Sequence, residues 1–411
     1  MAEYALEGLK VLELGGFWAV ANCASYLGYM GAEVIKVESI QSPDHFRYGA
    51  APWDGPWWET NHIWLSTNTN KIDVTLNLND PKGKELFKKL VKRSDVVVEN
   101  YSLRVMDNFG LGYDVLKEVN PRIIMVRAPA FGTTGPWKDI PSFALALELC
   151  QGLASATGYP GGEPFFVGGG SDVIVGQHLA FLLLAALEYR RRTGKGQVID
   201  VSQMEIGASY VGQAVMDYSM NQREWNERIG NHDLIMVPNN VYHCQGKDKM
   251  VAIAVASDDE WKAFCQAIGN PKWAADERFS TVLGRRKHED ELDKLIDQWT
   301  IQHDNYEVMH LLQKAGVRAG VVVDPFDTPI EPQFVAREFY QELTHPVEGK
   351  QIFGKFPMRT SKTPTKLTPP PTLGQQNEYV LGTILGLSEA EIAQLKKDKV
   401  IGTVPVPFAK D

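Results

Sequence analysis

Asp172 stands in the run Val167-Gly168-Gly169-Gly170-Ser171-Asp172-Val173-Ile174-Val175-Gly176-Gln177-His178. Three consecutive glycines strip side chains from one side of a carboxylate, and Gly176 thins the other, so a ligand can approach it closely. The apolar stretch 179–187 that follows predicts a buried helix start. A carboxylate at that junction lies near helix-terminal N–H groups, which favour negative charge. The same pattern fits an aspartate that only caps the helix, with glycines that only make a turn. The run alone does not decide between the two.

A short apolar strand over 9–14 ends at Gly15-Gly16. A helical stretch over 19–30 stops at Gly31, and 32–38 reads as a second strand, which together make a βαβ unit. Helical patterns at 82–93 and 113–118 alternate with strands at 95–100 and 122–127. A strand at 198–201 and a helix at 204–221 close this first region. Such alternation predicts an open α/β domain with a parallel sheet and right-handed crossovers. Glu38 lies 22 residues after Gly16, near where a ribose-binding acid stands in dinucleotide folds. However, Phe17 and Trp18 occupy positions where the G-x-G-x-x-G turn needs bare backbone, so no nicotinamide or flavin is expected and Glu38 reads as a surface residue. The middle of the chain carries a strand at 250–256 and charged helical segments at 259–268 and 285–303, a second, smaller α/β region. The Pro-rich stretch 364–371 reads as a linker or extended strap. A last amphipathic helix over 388–397 has Glu391 three residues after Ser388, the spacing of a capping box.

The chain has 411 residues and a net charge of −9. That charge argues against non-specific nucleic-acid binding. Its four cysteines, Cys23, Cys150, Cys244 and Cys265, lack CxxC spacing and clustered histidines, so neither a disulfide framework nor a metal site is expected. Residues 1–7 do not resemble a signal peptide, and the run 179–187 is short for a membrane span; a cytoplasmic location is expected.

The order and spacing of further landmarks resemble the family III CoA-transferases, of the formyl-CoA transferase and carnitine-CoA transferase type. They are Leu6-Glu7-Gly8-Leu9-Lys10-Val11-Leu12-Glu13-Leu14, Gly31-Ala32-Glu33-Val34-Ile35-Lys36-Val37-Glu38, Asn70-Lys71, and Asp95-Val96-Val97-Val98-Glu99-Asn100-Tyr101. Asn120-Pro121-Arg122, Gly132-Thr133-Thr134-Gly135-Pro136, Thr193-Gly194-Lys195-Gly196-Gln197 and Pro371-Thr372-Leu373-Gly374 follow. The resemblance implies a large Rossmann-like domain built from both chain ends (1–222 and 326–411), a small α/β domain (223–325), and an interlocked dimer. It implies acyl-CoA and carboxylic acid substrates, coenzyme A as a thioester substrate with no tightly bound cofactor, and neither nucleic acid nor membrane as partner.

It further implies that Asp172 is the nucleophile. An aspartate that attacks an acyl-CoA gives a mixed anhydride and frees the thiolate, which returns to form an aspartyl-CoA thioester open to an acceptor carboxylate. Dry surroundings protect each intermediate, and Gly169 and Gly170 leave room for the thioester and for N–H donors to a developing oxyanion. Asn100 and Tyr101 match the family's Asn-Phe step where CoA lies, and Arg104, Lys71 and Lys138 are candidates for its phosphates. Phe17, Trp18 and Ala19 match the segment beside the reacting thioester. Trp18 replaces a glutamine of formyl-CoA transferases, which argues for a larger, apolar or aromatic acyl group. Trp53, Trp57, Trp58 and Trp64 are compatible with an aromatic acid of the benzylsuccinate type, with succinyl-CoA as donor. The family's mobile glycine loop is replaced by Gly230-Asn231-His232-Asp233-Leu234. Arg47, His45 and Arg127 are candidates for a second substrate carboxylate. Two alternatives follow from the same resemblance. An acyl-CoA racemase or isomerase is disfavoured because Ser142-Phe143-Ala144 lacks the histidine of such relatives. The other alternative is one subunit of a hetero-oligomeric transferase, so the dimer is expected to be a homodimer or a heterodimer with a related chain.

Overall fold

In the computed structural model, which describes residues 3–48, 56–225 and 227–406, short runs rich in Val and Ile form six parallel strands. They are β1 (Lys10–Glu13), β2 (Glu33–Glu38), β3 (Lys71–Thr75), β4 (Val96–Glu99), β5 (Ile124–Arg127) and β6 (Gln197–Asp200), in the order β3-β2-β1-β4-β5-β6. Alternate residues of each central strand enter different cores, which is why the runs are apolar throughout rather than alternating. Val11, Val34, Val96 and Ile124 pack against α1 (Trp18–Tyr29) on one face. Leu12, Ile35, Val97 and Met125 pack on the other face against Leu86, Phe87 and Leu90 of α2 (Pro81–Val91). Five of these strands differ from the sequence expectation by one or two residues at their ends; β3, which carries Lys71 and Asp73, was not expected.

Past β5 come α3 (Ala144–Cys150) and α4 (Gly170–Thr193). Helix α4 begins nine residues before the apolar run that signalled it, so Asp172 lies inside its first turn. By length and composition alone α4 could cross a membrane, but Val175, Leu179 and Leu183 are fully buried against the sheet and α1. Gly176 is required at this crossing, since a Cβ there would lie 2.8 Å from the carbonyl oxygen of Ala19 and 3.2 Å from the nitrogen of Cys23. Its role is therefore helix contact rather than access to Asp172, a correction to the sequence reading. The single helix expected over 204–221 is two helices, α5 (Gln203–Ser209) and α6 (Gly212–Asn221). The first is drawn against Gln151 at Gly207, where a Cβ would meet that side chain at 2.0 Å, while α6 buries none of its residues.

A second compact unit comprises Ser155–Phe165 and Trp225–Pro332. It holds an antiparallel sheet of β7 (Asn239–His243), β8 (Met250–Ala254) and β9 (Arg318–Val321), with α7 (Asp258–Ala267), α8 (Glu289–Thr300) and α9 (Asn305–Lys314) around a core that includes Val251, Phe264, Ile296 and Leu312. Residues 155–165 thus group with this unit, not with the large domain to which the sequence reading gave them. The helical segment expected at 285–303 starts its long helix only at Glu289, because buried Arg285 closes the preceding turn on the carbonyls of Val237 and Phe279.

The chain then returns to the large unit through the hairpin β10 (Tyr340–His345) and β11 (Gly349–Gly354). The Pro-rich stretch is an extended strap tied to the body: Lys366 N–H donates to the Tyr29 carbonyl and Thr368 N–H to Asn70 Oδ1, each at 2.8 Å. Helix α10 (Glu389–Lys397) carries the expected capping box between Ser388 and Glu391 and packs Ile392 and Leu395 into the α2-side core.

Candidate active site

The strand order reverses between β1 and β4, and in an open parallel sheet the crevice beyond the strand ends at that point is where ligands bind. A cleft of about 620 Å³ lies there, lined by the segments that follow β1, β2, β3, β4 and β5. Asn100 stitches its floor, accepting from Gly16 N–H at 3.2 Å and donating to the Gly16 carbonyl at 2.7 Å. Gly15 is obligatory for this arrangement: its φ is +102°, and a Cβ would lie 2.0 Å from Asn100 Oδ1.

Asp172 lines this cleft and is 7% exposed. Its carboxylate has no hydrogen-bond partner among the described residues, so it does not cap α4. Glu148 of α3 does: it accepts N–H bonds from Val167 and Gly169 at 3.0 Å and from Ser171 at 3.3 Å. Burial, and then the like charge of Glu148, push Asp172 up to about 6. The N–H groups of Gly168 and Gly170 have no acceptor among the described residues. Gly169 (φ +91°) lies under the indole of Trp18, which a Cβ would meet at 2.7 Å.

Trp18 belongs to an aromatic wall of the cleft. Phe17 stacks on His45 (centroids 5.1 Å, planes 12° apart), and Phe17 and Trp18 each meet the edge of Phe46, at 5.4 and 5.6 Å. Phe17 has φ 64° and ψ −161°, a region nearly confined to glycine that costs about 1–3 kcal/mol elsewhere. Asp44 holds it there. Asp44 Oδ1 accepts from Phe46 N–H at 2.9 Å and from Phe17 N–H at 3.4 Å, while Oδ2 pairs with Lys36 Nζ at 2.8 Å.

Of the expected contacts, Phe17, Trp18, Ala19, Asn100, Tyr101 and Asp172 come together on the cleft, with Gly169 and Gly170 forming the turn beside them. Tyr101 also packs on the α2-side core, and burial pushes its hydroxyl up to about 12. Lys138 and His45 line the cleft as well. Lys71 does not: it is fully buried, 2.8 Å from Glu13, and burial pushes its ammonium down to about 8 against the pull of that carboxylate. Arg104 is an exposed residue paired with Asp139 at 3.0 Å, beside the cleft rather than in it.

The substrate carboxylate expected at Arg47 or Arg127 is met in each case by the protein's own acids. Arg47 forks onto Glu38 and reaches Glu59 at 2.8 Å, with its guanidinium 3.6 Å over the ring of buried Trp64. Arg127 pairs with Glu99 at 3.1 Å. Glu38 is therefore a core anion, not a surface residue, and the neighbouring guanidinium holds it low against the penalty of burial. Trp64 is core, Trp57 and Trp58 pack edge to face away from the cleft lining, and Trp53 lies outside the described residues. In the smaller unit, the 230–234 stretch is clamped by His232 on Asp293 at 2.8 Å and by Arg286 on the Asp233 carbonyl.

Glu148 and Asp44 were not singled out from sequence. Glu148 had a signal, a lone acid in the apolar run Ala-Leu-Ala-Leu-Glu-Leu-Cys; Asp44 had none.

The chain is similar to the succinyl-CoA–D-citramalate CoA-transferase of Chloroflexus aurantiacus, with 32% identity over 96% of this chain and 98% of the relative. It is also similar to the beta subunit of that organism's succinyl-CoA–L-malate CoA-transferase, again at 32% over 96% and 98%. Among solved structures it resembles a CAIB/BAIF family protein from Brucella suis, with a TM-score of 0.85, 28% identity and coverage of 93% of this chain and 100% of the other. Residues 6–377 match CoA-transferase family III, and the chain belongs to that family of enzymes.

Proposed function

We propose that this CoA-transferase moves CoA from succinyl-CoA to a bulky or aromatic carboxylic acid, of benzylsuccinate-like shape, through covalent intermediates on Asp172. The observation that carries the reading is an unpaired carboxylate, largely buried, on the wall of the crevice at the strand-order reversal. Asp172 attacks the thioester carbonyl, forming a mixed anhydride and releasing CoA thiolate. The thiolate attacks the aspartyl carbonyl, so that the donor acid leaves and an aspartyl-CoA thioester remains. The acceptor carboxylate then attacks that thioester to form a second anhydride and frees the thiolate again. Attack of the thiolate on the acceptor's carbonyl yields the new acyl-CoA and regenerates Asp172. Each step conserves the activation of the original thioester.

The N–H groups of Gly168 and Gly170 are free to stabilise the oxyanion formed at each addition. Asn100, Tyr101 and Lys138 are the cleft residues suited to the CoA moiety. The wall of Phe17, Trp18 and Phe46 supports an acceptor that presents an apolar or aromatic face. The names of the relatives, which refer to citramalate and malate, favour a second reading in which the acceptor is a small hydroxy diacid. Incubation with succinyl-CoA, then hydroxylamine and peptide mass spectrometry, is expected to reveal an aspartyl hydroxamate at Asp172 that is absent from Asp172→Ala. Failure to form it, together with solvent-deuterium exchange at the α-carbon of an acyl-CoA, would replace the transferase steps with isomerase chemistry. Competition between benzylsuccinate and malate as acceptors separates the two substrate readings.

A further inference from the structure

The first turn of a helix offers unsatisfied N–H groups, and an aspartate in that turn normally takes them. Here those of Gly169 and Ser171 are already taken, while that of Gly170 has no acceptor among the described residues. Glu148, 1% exposed, reaches across from α3 and accepts from Val167, Gly169 and Ser171. The glycine turn is wrapped around one carboxylate, and Asp172, three residues past Gly169, is left without a partner on the cleft side.

We propose that Glu148 is a positioning residue for Asp172: by occupying the N–H groups at the start of α4 it keeps the nucleophile uncapped and directed at the substrate. The inference rests on the reading of Asp172 as nucleophile. Two carboxylates cannot both take the same donors, and their mutual repulsion turns the second toward the open cleft. Glu148 is also the charge that acts on Asp172 together with burial. The other elements packed on α4 contribute little charge at this end. Helix α1 carries no acidic or basic side chain, Glu205 of α5 is exposed, and His178 of α4 is bound to the Ile174 carbonyl. Asp44, His45 and Lys138 line the same cleft from its other walls, with Asp44 held by Lys36.

The test is a carboxyl-carbon NMR titration of the full chain labelled with [13C]aspartate, with the Asp172 resonance assigned by its loss in Asp172→Asn. Glu148→Gln keeps one acceptor oxygen and removes the charge. Its Asp172 midpoint is expected to fall by about one pH unit, about a fivefold larger ionised fraction at pH 5. An unmoved midpoint in a folded Glu148→Gln protein overturns the proposal. Glu148→Asp keeps the charge but not the reach. It is expected to speed hydrogen exchange at the Gly169 and Ser171 amides, and unchanged protection there overturns the proposal even if the glutamine variant does not fold. Transfer of CoA by Asp172→Asn at the unaltered chain's rate would instead defeat the nucleophile reading, whatever Glu148 does.

Discussion

A buried carboxylate without a hydrogen bond opposes folding, and Asp172 is such a group. Its folded value is raised to about 6, so the folded state prefers the protonated form. The penalty begins as pH rises past the unfolded value near 4 and is complete above the folded value. Asp172→Asn removes the charge at all pH values. It is therefore expected to abolish transfer while stabilising the fold by about 1–3 kcal/mol at pH 8, with the gain vanishing near pH 3.5; urea unfolding at the two pH values checks the sign. At Phe17 the backbone rather than the side chain bears the strain. Phe17→Ala and Phe17→Gly both lose the aromatic contacts, but only glycine relieves the dihedral. The glycine variant is expected to unfold at higher urea than the alanine variant, by about 1 kcal/mol. The place of Asp172 at a glycine turn and a helix start was legible in the sequence, while a nucleophilic role there was implied only by the family resemblance. The strain at Phe17 was not, because it depends on Asp44, a residue from another crossover whose proximity only the folded sheet creates.

Elements were legible wherever local pattern suffices. Five strands of the parallel sheet, α1 and the capping box of α10 each follow from apolar runs and end signals; β3, where Lys71 and Asp73 interrupt any apolar run, was not expected. The charge network beneath the cleft was misread for the opposite reason. Arg47, Lys71 and Glu38 read as surface or ligand contacts because single-residue chemistry makes charge look solvated, whereas β1, β2, β3 and the turn after β2 bury them as mutual partners. Lys36 sits between Glu13 at 3.0 Å and Asp44 at 2.8 Å with no exposed side-chain surface. Lys36→Met leaves two buried carboxylates short of a partner and is expected to cost about 3–5 kcal/mol. It also releases the turn that holds Phe17, so KM for succinyl-CoA rises in whatever folded fraction remains. The α1–α4 crossing has a separate test. Gly176→Ala gains helix propensity, but its methyl group meets the backbone of α1. A net loss of about 1–2 kcal/mol is expected in urea unfolding.

At the scale of the molecule, the apolar surface left uncovered on the large unit calls for a partner. Helix α6 buries no residue, although Val215, Met216, Tyr218 and Met220 are each more than half exposed, and Phe181 of α4 is 70% exposed. A helix whose apolar side chains all meet water gains little from folding alone. Exposed apolar surface marks protein–protein contacts where it is contiguous. We propose that a second copy of the chain, or a related one, covers α6 and the outer side of α4. Sedimentation of the purified chain at micromolar concentration is expected to give a dimer. Paired changes Val215→Glu and Met220→Glu should return it to monomer with the smaller unit's unfolding transition intact. A chain that sediments as a monomer and forms no Asp172 hydroxamate until a homologous chain is added would identify the hetero-oligomeric form. A fully active monomer would show that the exposed face serves neither assembly nor catalysis.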